Sequence, residues 1–140
     1  VNLEFIRLTD PGLFSLIPPE LFEQAKGSNF KIDKLYEFGP LLLASPFTFF
    51  YAMTDPESHK IKGIFWAEIS PLTEHLAVHA LSISKDAQKN GNLKEMVEFT
   101  ENLAKEQGLT KIQMLTRRPE VYEKKFGFKK SEKIIMEKSL

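Results

Sequence analysis

The stretch from residue 92 to 107 constrains this chain more than any other. Leu93, Met96, Val97, Thr100, Leu103 and Ala104 recur at helical spacing on one face, widened by Phe99. Lys94, Glu95, Glu98, Glu101 and Lys105 lie outside that face. Asn92 followed three residues later by Glu95 predicts a capping box, and Gly108 supplies the stop. Short apolar runs flank the helix, residues 76–84 before it and 111–116 after it. A strand, a long helix and a strand in that order imply parallel strands joined by a right-handed crossover.

The other elements are shorter. Residues 3–8 read as a strand stopped by Asp10-Pro11-Gly12. Residues 14–17 and 20–25 read as helical pieces divided by Pro18-Pro19, because proline disrupts a helix interior. Residues 33–43 form a weaker helix, with Gly39-Pro40 inside it. Residues 47–54 are β-rich. Residues 61–70 form a strand with two packed faces, Ile64, Trp66 and Glu68 on one and Phe65, Ala67 and Ile69 on the other. Pro71-Leu72-Thr73-Glu74 predicts a hairpin connection.

The strand over 76–84 breaks phase. Leu76, Val78 and Ala80 alternate on one face, then Leu81 and Ile83 take the opposite phase. One extra residue produces this, so a β-bulge near Ala80–Ser82 is expected; the alternative is a strand buried on both faces. Pro119 opens a helix to about Lys125, Gly127 ends it, and residues 128–138 read as a last strand. The sum is a single α/β (α+β) layered domain.

Of 140 residues, 19 are basic and 19 acidic, so the net charge is zero. That argues against a polybasic nucleic-acid or membrane-surface binder. Residues 1–84 nevertheless carry 6 basic and 10 acidic side chains, and residues 85–140 carry 13 and 9. The later part therefore prefers anions. The absence of cysteine excludes a thiolate metal site, a cysteine nucleophile and a disulfide scaffold, and fits a reducing compartment. His59, His75 and His79 lack a metal-ligand spacing, so no metal is expected. No apolar run reaches the roughly 18 residues of a membrane span, no signal-peptide pattern opens the sequence, and a cytoplasmic location is expected.

The loop Ser84-Lys85-Asp86-Ala87-Gln88-Lys89-Asn90-Gly91-Asn92 delivers the chain to the start of the long helix. A helix N-terminus offers unpaired N–H groups and partial positive charge, which suit a phosphate. The run Gln88-Lys89-Asn90-Gly91-Asn92-Leu93 resembles the acetyl-coenzyme A signature Q/R-x-x-G-x-G/A of the GNAT acetyltransferase superfamily. Residues 122–128, Tyr122-Glu123-Lys124-Lys125-Phe126-Gly127-Phe128, resemble that family's closing Y-x-x-x-G-F segment, and Ile135-Met136-Glu137-Lys138 is similar to its last strand. The resemblance covers residues 61–140 by motif and residues 1–60 only by element order.

The resemblance implies a GNAT-like mixed central sheet with a bulged strand and flanking helices. Residues 61–140 would be the coenzyme A half and residues 1–60 the acceptor side. It implies cofactor contacts from the backbone of Leu81, Ser82 and Ile83, with a nearby N–H polarising the thioester carbonyl. Gln88, Lys89, Asn90, Gly91, Asn92 and Leu93 would hold the pyrophosphate. Lys85, Lys89, Arg117 and Arg118 either meet the 3′-phosphate or are solvated surface.

Three positions depart from the pattern. Leu93 replaces Gly or Ala, and either opens the core face of the helix or crowds the phosphates. Glu95 favours the helix dipole but opposes a bound pyrophosphate. Tyr122 stands five residues before Gly127 where the family tyrosine stands four, so it protonates a leaving thiolate only if the Lys125-Phe126 step absorbs the extra residue. Otherwise it is a packed aromatic with a wet hydroxyl.

The acceptor amine must lose a proton before attack, which calls for a carboxylate or imidazole. Glu68 and His79 are the candidates, each with a structural alternative as a rim charge or a half-buried ring. The leading reading is direct acetyl transfer from acetyl-CoA to an unidentified amine, a protein or a small molecule. The alternative is a non-catalytic GNAT-like interaction module with weak or no coenzyme A binding. Residues 10–46, rich in Phe and Leu, favour a protein or apolar amine over a polyamine or aminoglycoside. The family resemblance allows a homodimer, but no residue requires one.

Overall fold

The computed structural model describes residues 3–25, 32–70, 72–88 and 91–140. Five strands form one sheet in the order β1-β2-β3-β4-β5. They are β1 (Glu4–Arg7), β2 (Thr48–Thr54), β3 (Ile61–Ile69), β4 (His75–Ile83) and β5 (Lys111–Met114). The first four are antiparallel to their neighbours, and β4 and β5 are parallel. The helices are α1 (Pro19–Gln24), α2 (Ile32–Ala44), α3 (Asn92–Glu106) and α4 (Pro119–Phe126), with a 3₁₀ turn over Pro11–Leu16. Helix α3 connects the parallel strands β4 and β5, as the amphipathic run and its flanking strands required.

The period-2 alternation of β3 divides two cores. On one face Phe65, Ala67, Leu76, Val78 and Ile83 pack with Met96, Leu103 and Ala104 of α3. On the other, Phe50, Ala52 and Ile64 pack with Phe14, Leu21 and Phe22 beside α1. Burying each such large apolar side chain contributes about 2 kcal/mol. Phe99 joins the first core by stacking on Phe5, with ring centroids 4.3 Å apart.

Gly39 shows how tightly the second core closes. A Cβ there would lie 2.5 Å from Cε2 of Phe14, which is fully buried. Gly39→Ala gains about 1 kcal/mol of helix propensity and incurs about 1–3 kcal/mol of overpacking. A net destabilisation of about 1–2 kcal/mol is expected in urea unfolding, and Phe14→Leu in the same chain should recover part of it.

The β4 bulge is present but lies earlier than the phase break suggested. Trp66 pairs with Ala80 and Ala67 with Val78, so His79 is the extra residue. The expected bulge at Ala80–Ser82 is corrected to His79. Ala80 belongs to the Trp66 face, after the break, and its small side chain is buried there too. Its hydrophobicity therefore could not report which face it takes.

The expected strand over 128–138 is not formed. Residues 131–140 are all exposed and outside the sheet, because Phe128 folds back on Tyr122 and the chain beyond it does not run along β5. The expected capping box is also absent. Gly91 caps α3 in the left-handed region, with φ 72°, and Asn92 lies inside the helix.

Candidate active site

The bulge and the parting of two strands define the site. β4 pairs with β5 only over His75–Val78. β5 ends at Met114 while β4 runs on through the bulge to Ile83. The β4 backbone from His79 to Ile83 therefore has no β5 ladder. Strand neighbours lie about 4.8 Å apart when paired, so an extended ligand arm can take the place of the missing strand.

Leu81, Ser82 and Ile83 all lie along this stretch. Ile83 is buried and Leu81 packs on the α3-side core. Ser82 turns to the opposite face, where its Oγ donates to Gln24 Oε1 at 3.2 Å. Gln24 was not foreseen, because it stands 58 residues away at the end of α1 and only the fold brings it near.

The loop after β4 is closed from within. Gln88 Nε2 donates to the Ile83 carbonyl at 2.9 Å, and Asn92 Nδ2 to the Ala87 carbonyl at 2.6 Å. The Asn92 side chain is buried, and its Oδ1 has no hydrogen-bond partner among the described residues. Both side-chain amides are engaged with backbone carbonyls and hold the loop in shape. Lys89 and Asn90 lie outside the described residues. Open space surrounds the missing Cβ of Gly91, as close backbone approach to a ligand requires.

Leu93 packs against the α3-side core, so it opens the helix face and leaves the N-terminus uncrowded. Glu95 is also occupied elsewhere, its Oε2 accepting the Leu3 N–H at 3.3 Å. An unladdered backbone, a glycine-capped 15-residue helix and first-turn N–H groups without intrahelical partners fit the pantetheine arm and pyrophosphate of a coenzyme A.

The bulge also brings two proposed bases together. Glu68 of β3 and His79 of β4 stand with Oε2 and Nε2 3.0 Å apart, both partly exposed. Trp66 lies against the imidazole, with ring centroids 4.7 Å apart. In an unbroken ladder the residue beside Ala80 would face away from Trp66. The bulge turns His79 back onto the face it shares with Glu68. The register continues the Glu68 row through Ala77 to Gln113 of β5, a polar residue that sequence reasoning passed over. Its signal was the alternation of Gln113 with Ile112 and Met114.

Tyr122 lies on α4 against Phe126 and Phe128, with ring centroids 6.1 and 5.6 Å away. Burial raises its phenol pKa above the ordinary value, partly opposed by Arg118. The helix end is widened, because the Gly127 N–H reaches back to the Tyr122 carbonyl and the Phe128 N–H meets it at 3.2 Å. A regular turn reaches back four residues; this one reaches five and six.

A cavity of about 420 Å³, lined by Leu16, Glu20, Lys62 and Asp86 among others, lies at the other end of β3 from Glu68. There Lys62 Nζ binds Asp86 Oδ2. That hydrogen bond holds the Asp86 carboxyl down at about 2. A lowered folded-state value adds stability above the unfolded value near 3.8 and loses it as pH falls toward 2. An NMR titration should find the Asp86 midpoint near pH 2, and Lys62→Ala should move it up toward 3.8.

Among the described residues no group of three acidic or histidine side chains could hold a metal, and no helix is long and apolar enough to cross a membrane.

The sequence matches the model of the acetyltransferase (GNAT) family over residues 14–128. Comparison with curated protein sequences gives no match. Among solved structures, AAC(6')-Iy in complex with the bisubstrate analogue CoA-S-monomethyl-acetylneamine superposes with a TM-score of 0.75 at 11% identity, covering 100% of this chain and 99% of that one. A predicted acetyltransferase of Clostridium acetobutylicum, in a structure with acetyl-CoA, gives 0.76 at 15%, covering 98% and 96%. The aminoglycoside acetyltransferase meta-AAC0020 from an uncultured soil metagenomic sample, in complex with sisomicin, gives 0.74 at 18%, covering 99% and 96%.

Proposed function

The chain belongs to the acetyltransferase (GNAT) family, and from that premise we propose that it transfers an acetyl group from acetyl-CoA directly to an amine, with Glu68 and His79 removing the amine proton. The observation that carries this reading is the 3.0 Å Glu68–His79 contact at the bulge where β4 parts from β5.

The bound acetyl-CoA supplies the acetyl group as an activated thioester. Residues 61–140 hold it, through the backbone of Leu81, Ser82 and Ile83 and the N–H groups of the loop from Gln88 to Leu93. A proton taken up by His79 sits beside the Glu68 carboxylate, which stabilises the imidazolium by charge and hydrogen bond. Tyr122 gives its hydroxyl proton to the departing sulfur. Without a cysteine in the chain, no acyl-cysteine intermediate intervenes.

Residues 1–60 form the acceptor side. Leu16, Phe38 and Leu41 are exposed there, which supports an amine carried on a protein segment or an apolar group. The cytoplasm is the proposed compartment, in keeping with a chain that uses no cysteine. Incubation with acetyl-CoA and a panel of lysine peptides, apolar amines, polyamines and aminoglycosides, read by product mass, tests the acceptor class. Peptides or apolar amines should be acetylated with the highest kcat/KM. Preference for an aminoglycoside would reject this acceptor class and leave the transfer reaction standing.

A further inference from the structure

The sheet face that carries Glu68 continues across β4 onto β5. Glu68 pairs with Ala77, and Ala77 pairs with Gln113. Leu76, Val78, Ile112 and Met114 pack on the α3-side core. Ala77 and Gln113, which stand between them, therefore present the opposite face, the one Trp66 and Glu68 share. All three residues of the row are partly exposed. Ala77 contributes only a methyl group, so the row is a notch with a carboxylate on one wall and a carboxamide on the other. Glu68 is engaged with His79. The Gln113 amide has no hydrogen-bond partner among the described residues.

The width of the notch selects a ligand. Two strand spacings of about 4.8 Å set the Cβ atoms of Glu68 and Gln113 roughly 10 Å apart, and side chains stand nearly upright from a sheet. An α-amine nitrogen lies about 3 Å from the oxygen of the neighbouring carbonyl. With a hydrogen bond of about 2.9 Å at each end, that group fills most of the gap. In an extended lysine side chain the nearest carbonyl lies beyond four methylenes, out of reach of Gln113 while the amine stands at Glu68. A simple alkylamine brings no carbonyl at all.

We propose that Gln113 is a specificity-determining residue of the transfer. Its Nε2 donates to the carbonyl oxygen beside the reacting amine, so the preferred acceptor is an α-amino amide, as at the N-terminus of a peptide. This narrows the acceptor class proposed above and rests on the same Glu68–His79 site.

Leucinamide and 3-methylbutylamine differ by the carboxamide alone. Their amines differ in basicity, but equally so for parent and variant. A change in the ratio of their kcat/KM values between parent and variant therefore reads the carbonyl contact. That ratio should fall roughly tenfold in Gln113→Leu, and equally in the isosteric Gln113→Glu, which replaces the donor by an acceptor. A merely structural role would lower both substrates together and leave the ratio unmoved. By product mass, a lysine-free peptide beginning with leucine should be acetylated faster than an N-blocked peptide with a single lysine. The same peptide set against leucinamide tells a chain end from a small amide, both of which carry the proposed group. A ratio unchanged in both variants, or faster acetylation of the lysine, would overturn the proposal and leave acetyl transfer standing. No acetylation of any of these amines would overturn both.

Discussion

Glu68→Gln and His79→Gln should each slow acetyl transfer by about 10²–10³-fold, the range of a lost general base, with acetyl-CoA affinity close to that of the parent. Both side chains are partly exposed and contact each other at 3.0 Å, so neither substitution opens a core cavity. Melting temperatures should shift little. The two residues act as one unit, so the double variant should be hardly slower than either single one. Steady-state kinetics on all three variants check this. Multiplicative losses would mean that the residues serve separate steps.

Deleting His79 should have a different effect and a larger one. The register on both sides of the bulge is already complete, Trp66 with Ala80 and Ala67 with Val78. Removing the single extra residue closes β4 into a regular strand without turning any other side chain to the wrong face. The fold should persist, as far-ultraviolet circular dichroism can confirm. The parting of β4 from β5 should narrow, and the backbone at Leu81, Ser82 and Ile83 should lose its splay. Acetyl-CoA affinity should fall roughly tenfold for each one or two backbone hydrogen bonds lost, and turnover should disappear. His79→Gln keeps the bulge and loses only the imidazole. Calorimetry on the two variants therefore separates the backbone's role from the side chain's.

These two experiments rest on a feature the sequence showed only in part. The phase slip within 76–84 is visible because Leu76, Val78, Leu81 and Ile83 cannot all lie on one face of a regular strand. The exact residue was hidden because Ala80 is small enough to be buried on either face. Helix α3 was legible because its six core positions follow helical spacing and Gly108 stops it. Its cap was misread, because Asn92 spends its amide on the Ala87 carbonyl and Glu95 reaches across to Leu3.

At the site, Glu68 and His79 could be nominated separately from their chemistry. Their pairing depends on which residue bulges, a matter of register that local pattern does not report. Gln24 and Gln113 reach the site through tertiary packing and strand pairing over long sequence separations, so no local pattern revealed the first, and only alternation hinted at the second. The residues from 128 onward have strand-like composition, but a strand forms only where the chain is led alongside a neighbour. Composition carries no information about whether the neighbour is there.

Release of free thiol from acetyl-CoA in the presence of an amine panel tests the central claim most directly, with the Glu68→Gln, His79→Gln double variant alongside. Amine-dependent thiol release by the parent, lowered by about 10²-fold or more in the double variant, is the predicted result. Failure to bind acetyl-CoA at millimolar concentration, or thiol release undiminished in the double variant, would contradict it.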